Sequence, residues 1–214
     1  FEIYRGSGTQ GLWYGPCDDA GRLITIPRGI ETTRFFNPAA VSAERIIQLA
    51  DRWRLTDGLP VIMLPGRLTR WKGHTVLIDA LKHYGQQDVI CVLVGDDQGR
   101  TKYREELEAL VRENNLESVV RFVGDCNDMA AAYMLADVVV SASTDPEAFG
   151  RVAVEAQAMG RPVIATDHGG ARETILPGIT GWLVPPGDAL ELASALRKAV
   201  HLDPDDRAEM ASAG

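Results

Sequence analysis

Cysteine is scarce in this chain. Its 214 residues hold three, Cys17, Cys91 and Cys126, widely spaced and without a C-x-x-C pair. That excludes a disulfide framework and fits a reducing compartment. Cys91 lies in the apolar run Val89-Ile-Cys-Val-Leu-Val94 and reads as a small core residue. Histidine is also sparse: His74, His83, His168 and His201 show no ligand spacing, so no metal site and no cofactor are expected. The pair Asp96-Asp97 has no third ligand beside it and reads as a solvated turn. Excess positive charge is missing too, with 22 Lys and Arg against 30 Asp and Glu for a net charge of −8. A nucleic-acid groove needs clustered cations to neutralise phosphates, so no nucleic-acid partner is expected. No apolar run approaches the roughly 20 residues that span a bilayer. No basic segment followed by an apolar one opens the chain as a signal peptide would. The expectation is a cytoplasmic protein.

What is present is ordinary for a folded domain: 45% hydrophobic and 24% charged residues, in a length that fits one α/β domain. The chain opens at Phe1 and ends at Gly214 within a helical pattern, and is expected to be a piece of a longer protein.

Residues 1–22 are rich in glycine and irregular. They include Gly6-Ser-Gly-Thr-Gln-Gly11, a G-x-G-x-x-G match, but Leu12-Trp-Tyr-Gly-Pro16 cannot open the long helix that a dinucleotide fingerprint requires. A loop is the expectation there, and residues 23–214 form the domain proper. A strand over 23–27 and a helix over 38–54 come first. Strands over 61–64, 89–94, 119–123, 137–141, 162–165 and 181–184 then alternate with helical patterns over 74–84, 103–114, 128–135, a run carrying Glu155, a short helix near Gly169, and 189–200. Short apolar strands alternating with helices predict a doubly wound, Rossmann-like parallel sheet covered on both faces. Ligands of such folds sit outside the carboxyl ends of the strands. That rim carries Gly66-Arg67, Gly95-Asp96, Gly124-Asp125, 143–150 and 166–170.

Two stretches on the rim carry chemistry. Gly66 ends a strand and lets the backbone approach a ligand, while Arg67 and Lys72 supply two cationic groups that a loop can turn toward one anion. The second stretch is Asp145-Pro-Glu147-Ala-Phe149-Gly150-Arg151, followed by Glu155. A helix starting near Phe149-Gly150 leaves the backbone N–H groups of Phe149, Gly150 and Arg151 unpaired, which favours an anion. Glu147 in the loop and Glu155 on the helix can accept bonds from sugar and ribose hydroxyls. Both acids can equally be there because carboxylates favour a helix start. Asp167-His168-Gly169-Gly170 reads as a tight strand-to-helix turn capped by Asp167.

In order, Glu147 through Gly150, Glu155-Ala156, Gly160-Arg-Pro162-Val163-Ile164 and Gly169-Gly170-x-x-Glu173 resemble the C-terminal domain of retaining GT-B glycosyltransferases of family 4, including its E-x7-E motif. Ile26-Pro27-Arg28-Gly29, Gly66-Arg67-Leu68, Lys72-Gly73 and Val120-Arg-Phe-Val-Gly124 extend the resemblance, with Arg28 where the family commonly has Asn. The resemblance implies one half of a GT-B fold that binds a nucleoside-diphosphate sugar without a metal. By it, Arg67 and Lys72 meet the diphosphate, Glu147 the transferred sugar and Glu155 the ribose. Phe149, Gly150 and Arg151 offer N–H groups, and Val123, Cys126 and Met129 border the base. It also implies an N-terminal acceptor domain absent from this chain, an acceptor such as a cell-envelope glycan or lipid, and a piece that alone transfers nothing. Glu147 as nucleophile and front-face attack both stay open. So do a nucleotide-sugar epimerase or sugar-phosphate synthase of the same fold, and a non-catalytic binding module.

Overall fold

The computed structural model describes residues 29–55, 58–99 and 101–214, with the backbone of Ile3–Tyr4 and Trp13–Tyr14. The expected strand over 23–27 and the G-x-G-x-x-G stretch lie outside these residues. Strands β1 (Ile3–Tyr4) and β2 (Trp13–Tyr14) pair antiparallel.

Six further strands build one parallel sheet: β3 (Val61–Pro65), β4 (Ile90–Val94), β5 (Val120–Gly124), β6 (Val138–Ser141), β7 (Val163–Thr166) and β8 (Gly181–Val184). Their order across the sheet is β5-β4-β3-β6-β7-β8. The chain thus winds outward from β3 to one edge, returns to the middle at β6, and winds to the other edge. The crevice outside the carboxyl ends of β3 and β6 is the point where the strand order reverses, and doubly wound sheets bind ligands there.

The alternation of side chains along each strand supplies two cores. Ile62, Leu64, Cys91, Leu93, Val138, Val140 and Ile164 face one way. They pack against helices α2 (His74–Tyr84), α3 (Thr101–Glu113) and α7 (Ala189–Val200). Val61, Met63, Ile90, Val92, Val139, Val163 and Ala165 face the other way. They meet α1 (Ala43–Trp53), α4 (Met129–Leu135) and α5 (Arg151–Ala158). Strands buried on both faces read as continuous apolar runs, and that made them visible in the sequence.

Caps set the helix boundaries. The pattern over 38–54 is not one helix. Asn37 caps a single 3-10 turn at Pro38–Ala40, Val41 is extended, and Ser42 accepts from the Arg45 N–H to start α1 afresh. A short polar side chain that bonds the following backbone competes with helix continuation, which accounts for the break. Asp203-Pro204 is a junction, because Asp203 caps a further helix α8 (Pro204–Ala213). A short helix α6 (Ala171–Thr174) follows β7.

Candidate functional site

The loop after β3 continues the ladder of the sheet: the Gly66 N–H donates to Val94 and the Leu68 N–H to Asp96, at 2.8 and 3.0 Å. It then closes a 3-10 turn over Arg70–Lys72 and docks on the loop after β6. The Thr144 N–H donates to the Trp71 carbonyl at 2.8 Å. A Cβ on Gly73 would lie 1.8 Å from the Ala142 carbonyl oxygen, so only glycine permits this contact. The Lys72 stem lies across Gly66, whose added Cβ would stand 3.3 Å from the lysine Cδ.

This docking delivers the Lys72 ammonium to Glu147, Nζ to Oε1 at 2.7 Å. The Ser143 hydroxyl donates to the same oxygen. Ser143 is itself held from β7: its carbonyl accepts from the Thr166 hydroxyl at 2.8 Å and from His168 Nε2 at 2.9 Å. A carbonyl only accepts, so His168 Nε2 carries a proton and donates it. The Glu147 carbonyl accepts from the Gly170 N–H at 2.8 Å. A Cβ on Gly169 would come within 2.4 Å of that carbonyl oxygen, and one on Gly170 within 2.6 Å of the Phe149 backbone. The glycine pair therefore lets two loops touch main chain to main chain. Asp167 pairs with Arg172 at 2.8 Å and does not cap α6, whose cap position is Gly170.

Helix α5 begins at Arg151, one residue beyond the expected start, with Gly150 left-handed at φ 72° as its cap. The Gly150 carbonyl accepts from Ala153, and among the described residues no partner meets the N–H groups of Phe149, Gly150 or Arg151. Glu155, one turn further on, is buried; it accepts from Arg151 at 2.7 Å and from the Tyr133 hydroxyl at 2.9 Å. Burial, followed by the Glu155 charge, holds the Tyr133 phenol well above its ordinary range, so it stays a donor.

Outside the carboxyl ends of the strands lies a cavity of about 470 Å³, of a size that admits a small organic ligand; Arg151 and Glu155 line it, whereas Lys72, Glu147, Phe149 and Gly150 do not. Gly66 and Arg67 wall it after β3, Gly95 and Asp96 after β4, Cys126 and Met129 after β5, and Arg151 and Glu155 on α5. Of the residues expected at the base, Cys126 and Met129 line the cavity. Val123 does not line it; half-buried, it packs against the apolar layer on that face of the sheet. Burial pushes the Cys126 thiol above its ordinary range, which keeps it an uncharged wall. Phe149 lines a separate depression with Ile30 and Gln157. Lys72 meets Glu147, while Arg67 reaches the Gln98 side-chain oxygen at 3.4 Å. The sequence places Ser143, Thr166 and His168 on the rim without a role, and it does not single out Tyr133 or Gln98 at all. Tyr133 lies on α4 and Gln98 in the loop after β4, where spacing carries no signal of their contacts.

Among the described residues no three His, Cys, Asp or Glu side chains gather as a metal site, and no helix is long and apolar enough to cross a membrane.

Comparison with known proteins places this geometry. Residues 47–214 match the family model for glycosyl transferases group 1. A D-inositol 3-phosphate glycosyltransferase of Xylanimonas cellulosilytica is 35% identical over 196 residues, covering 91% of this chain and 46% of that protein. The crystal structure of a glycosyltransferase from Rickettsia africae superposes with a TM-score of 0.86 at 34% identity, covering 92% of this chain and 52% of that one. Anabaena HepE, solved in complex with UDP-glucose, gives a TM-score of 0.75 at 36% identity, covering 81% of this chain and 47% of that one. This chain spans about half the length of the curated relatives it matches.

Proposed function

The chain belongs to the group 1 glycosyltransferases, and from that premise we propose that it is the donor half of a retaining enzyme moving a sugar from a nucleoside diphosphate to an acceptor. One observation carries this reading. Lys72, from the loop after β3, meets Glu147 in the loop that leads into α5, the helix that carries Glu155, at the point where the strand order reverses.

The chemistry follows from the groups. Breaking the bond between sugar and diphosphate builds negative charge on the leaving oxygens. Arg67 and the Lys72 ammonium meet that charge, and the N–H groups of Phe149, Gly150 and Arg151 at the start of α5 lie beside it. Glu147 receives hydroxyls of the transferred sugar and lies where positive charge develops at its anomeric carbon. Glu155, steadied by Tyr133, receives the ribose hydroxyls. Cys126 and Met129 border the base. UDP-glucose bound to HepE supports a nucleotide-sugar of this class.

The acceptor would enter from the half of the enzyme that the longer relatives possess. By family resemblance it is a cell-envelope glycan or lipid; the name of the curated relatives points instead to a small phosphorylated polyol. Ligand-observed NMR with UDP, GDP, ADP and their sugars tests the donor site. Saturation transfer to both nucleoside and sugar protons of one donor is expected. Silence from every nucleotide at millimolar concentration, over a folded sample, would overturn the reading.

A further inference from the structure

Lys72 has an anion built in beside it. Its side chain and that of Glu147 are 14% and 17% exposed, whereas the surface pair Arg70–Glu106 is 71% and 40% exposed. Screening weakens an exposed pair and spares a sheltered one. Each partner is also fixed before they meet. Lys72 stands on a turn tied to Thr144 and seated on Ala142. Glu147 is held through Oε1 by Ser143 and through its main chain by Gly170. Among the described residues, its Oε2 has no hydrogen-bond partner.

We propose that Glu147 competes with phosphate for Lys72, so that the site discriminates against a nucleoside diphosphate that has lost its sugar. This rests on the donor-site reading above. A phosphate that recruits Lys72 deprives Glu147 of its cation and leaves two anions side by side. A sugar on that phosphate brings hydroxyl donors, which Glu147 accepts through Oε2 and Oε1, so the carboxylate is compensated. A bare nucleoside diphosphate brings only acceptor oxygens and compensates nothing. Once the sugar has left, Glu147 reclaims Lys72 and the product is released. The carboxylate that selects the donor thereby speeds the departure of the spent carrier.

Calorimetric titration of the chain with UDP, GDP, ADP and their sugars, in wild type, Glu147→Gln, Lys72→Met and the double variant, tests this. Glutamine keeps the volume and still accepts the Ser143 hydroxyl, so folding is preserved. Glu147→Gln is expected to bind the bare diphosphate roughly tenfold tighter, the scale of one charge-assisted hydrogen bond regained. It should not bind the sugar nucleotide tighter, so the preference for sugar collapses. In the Lys72→Met background the same change should do little. Unchanged or weaker binding of bare diphosphate by Glu147→Gln would overturn the proposal. An equal gain without Lys72 would also overturn it, since general repulsion would then be the cause. If no nucleotide binds any folded variant, the donor-site reading itself falls, a result distinct from the other two.

Discussion

The Tyr133 hydroxyl donates to Glu155 at 2.9 Å, so the acid on α5 is held by a fully buried side chain of α4. Removing either partner therefore strands the other. Tyr133→Phe leaves the buried Glu155 Oε2 without a partner, and Glu155→Ala leaves the buried Tyr133 hydroxyl without one, each at about 1 to 3 kcal/mol of stability. Urea unfolding of the two variants checks both losses. With Glu155 on the ribose, both variants should also weaken binding of a nucleoside diphosphate, Glu155→Ala the more. Equal stability and unchanged nucleotide binding in Glu155→Ala would contradict the assignment.

Gly169→Ala drives a methyl group into the Glu147 main chain. The residue also has φ 55°, which L side chains rarely adopt. The prediction is a displaced Glu147 with an intact Glu155. Sugar-nucleotide affinity should then fall several-fold, by about 1 kcal/mol or more, while binding of the bare nucleoside changes little. Equal loss for both ligands would show that the glycine supports the domain as a whole.

His74 predicts a pH dependence. Its ring is fully buried at the start of α2, edge-on to Tyr103, and neither nitrogen has a hydrogen-bond partner of ordinary geometry. Burial, opposed by the nearby Thr69 and Gly66 carbonyls and aided by the Lys72 charge, lowers its pKa from 6.5 to about 4. Above pH 6.5 the ring is neutral in folded and unfolded chains alike. As pH falls through 6.5 only the unfolded chain takes up the proton, and stability is lost until the folded ring titrates near 4. The loss should total about 3 kcal/mol. His74→Leu should flatten this slope in urea midpoints measured from pH 7.5 to 4.5. An unchanged slope would assign the acid sensitivity to other groups.

The sequence made the inner strands legible because they are buried on both faces, leaving runs such as Val61-Ile-Met-Leu64 with no polar interruption, while the edge strands β5 and β8 are half-buried. Glu147 and Glu155 stood out for a related reason, as acids beside an otherwise apolar helix start. Other relationships depend on tertiary placement that spacing cannot carry. Lys72 and Arg67 looked like a pair because they lie five residues apart, yet Lys72 pairs with Glu147 across 75 residues, through a turn seated on Ala142. Val123 entered the expected base site through the family resemblance, yet Cys126 and Met129 line the cavity and Val123 does not. The parallel sheet was readable; the order β5-β4-β3-β6-β7-β8, which puts the crevice between β3 and β6, was not.

A crystal structure of this chain with a bound nucleoside-diphosphate sugar tests the central claim most directly. The account predicts diphosphate oxygens within hydrogen-bond reach of Arg67 and Lys72, a sugar hydroxyl on Glu147, the ribose hydroxyls on Glu155, and the base between Cys126 and Met129. A nucleotide seated elsewhere, for instance in the depression lined by Phe36, Arg45 and Asp128, with Glu147 and Glu155 untouched, would contradict it.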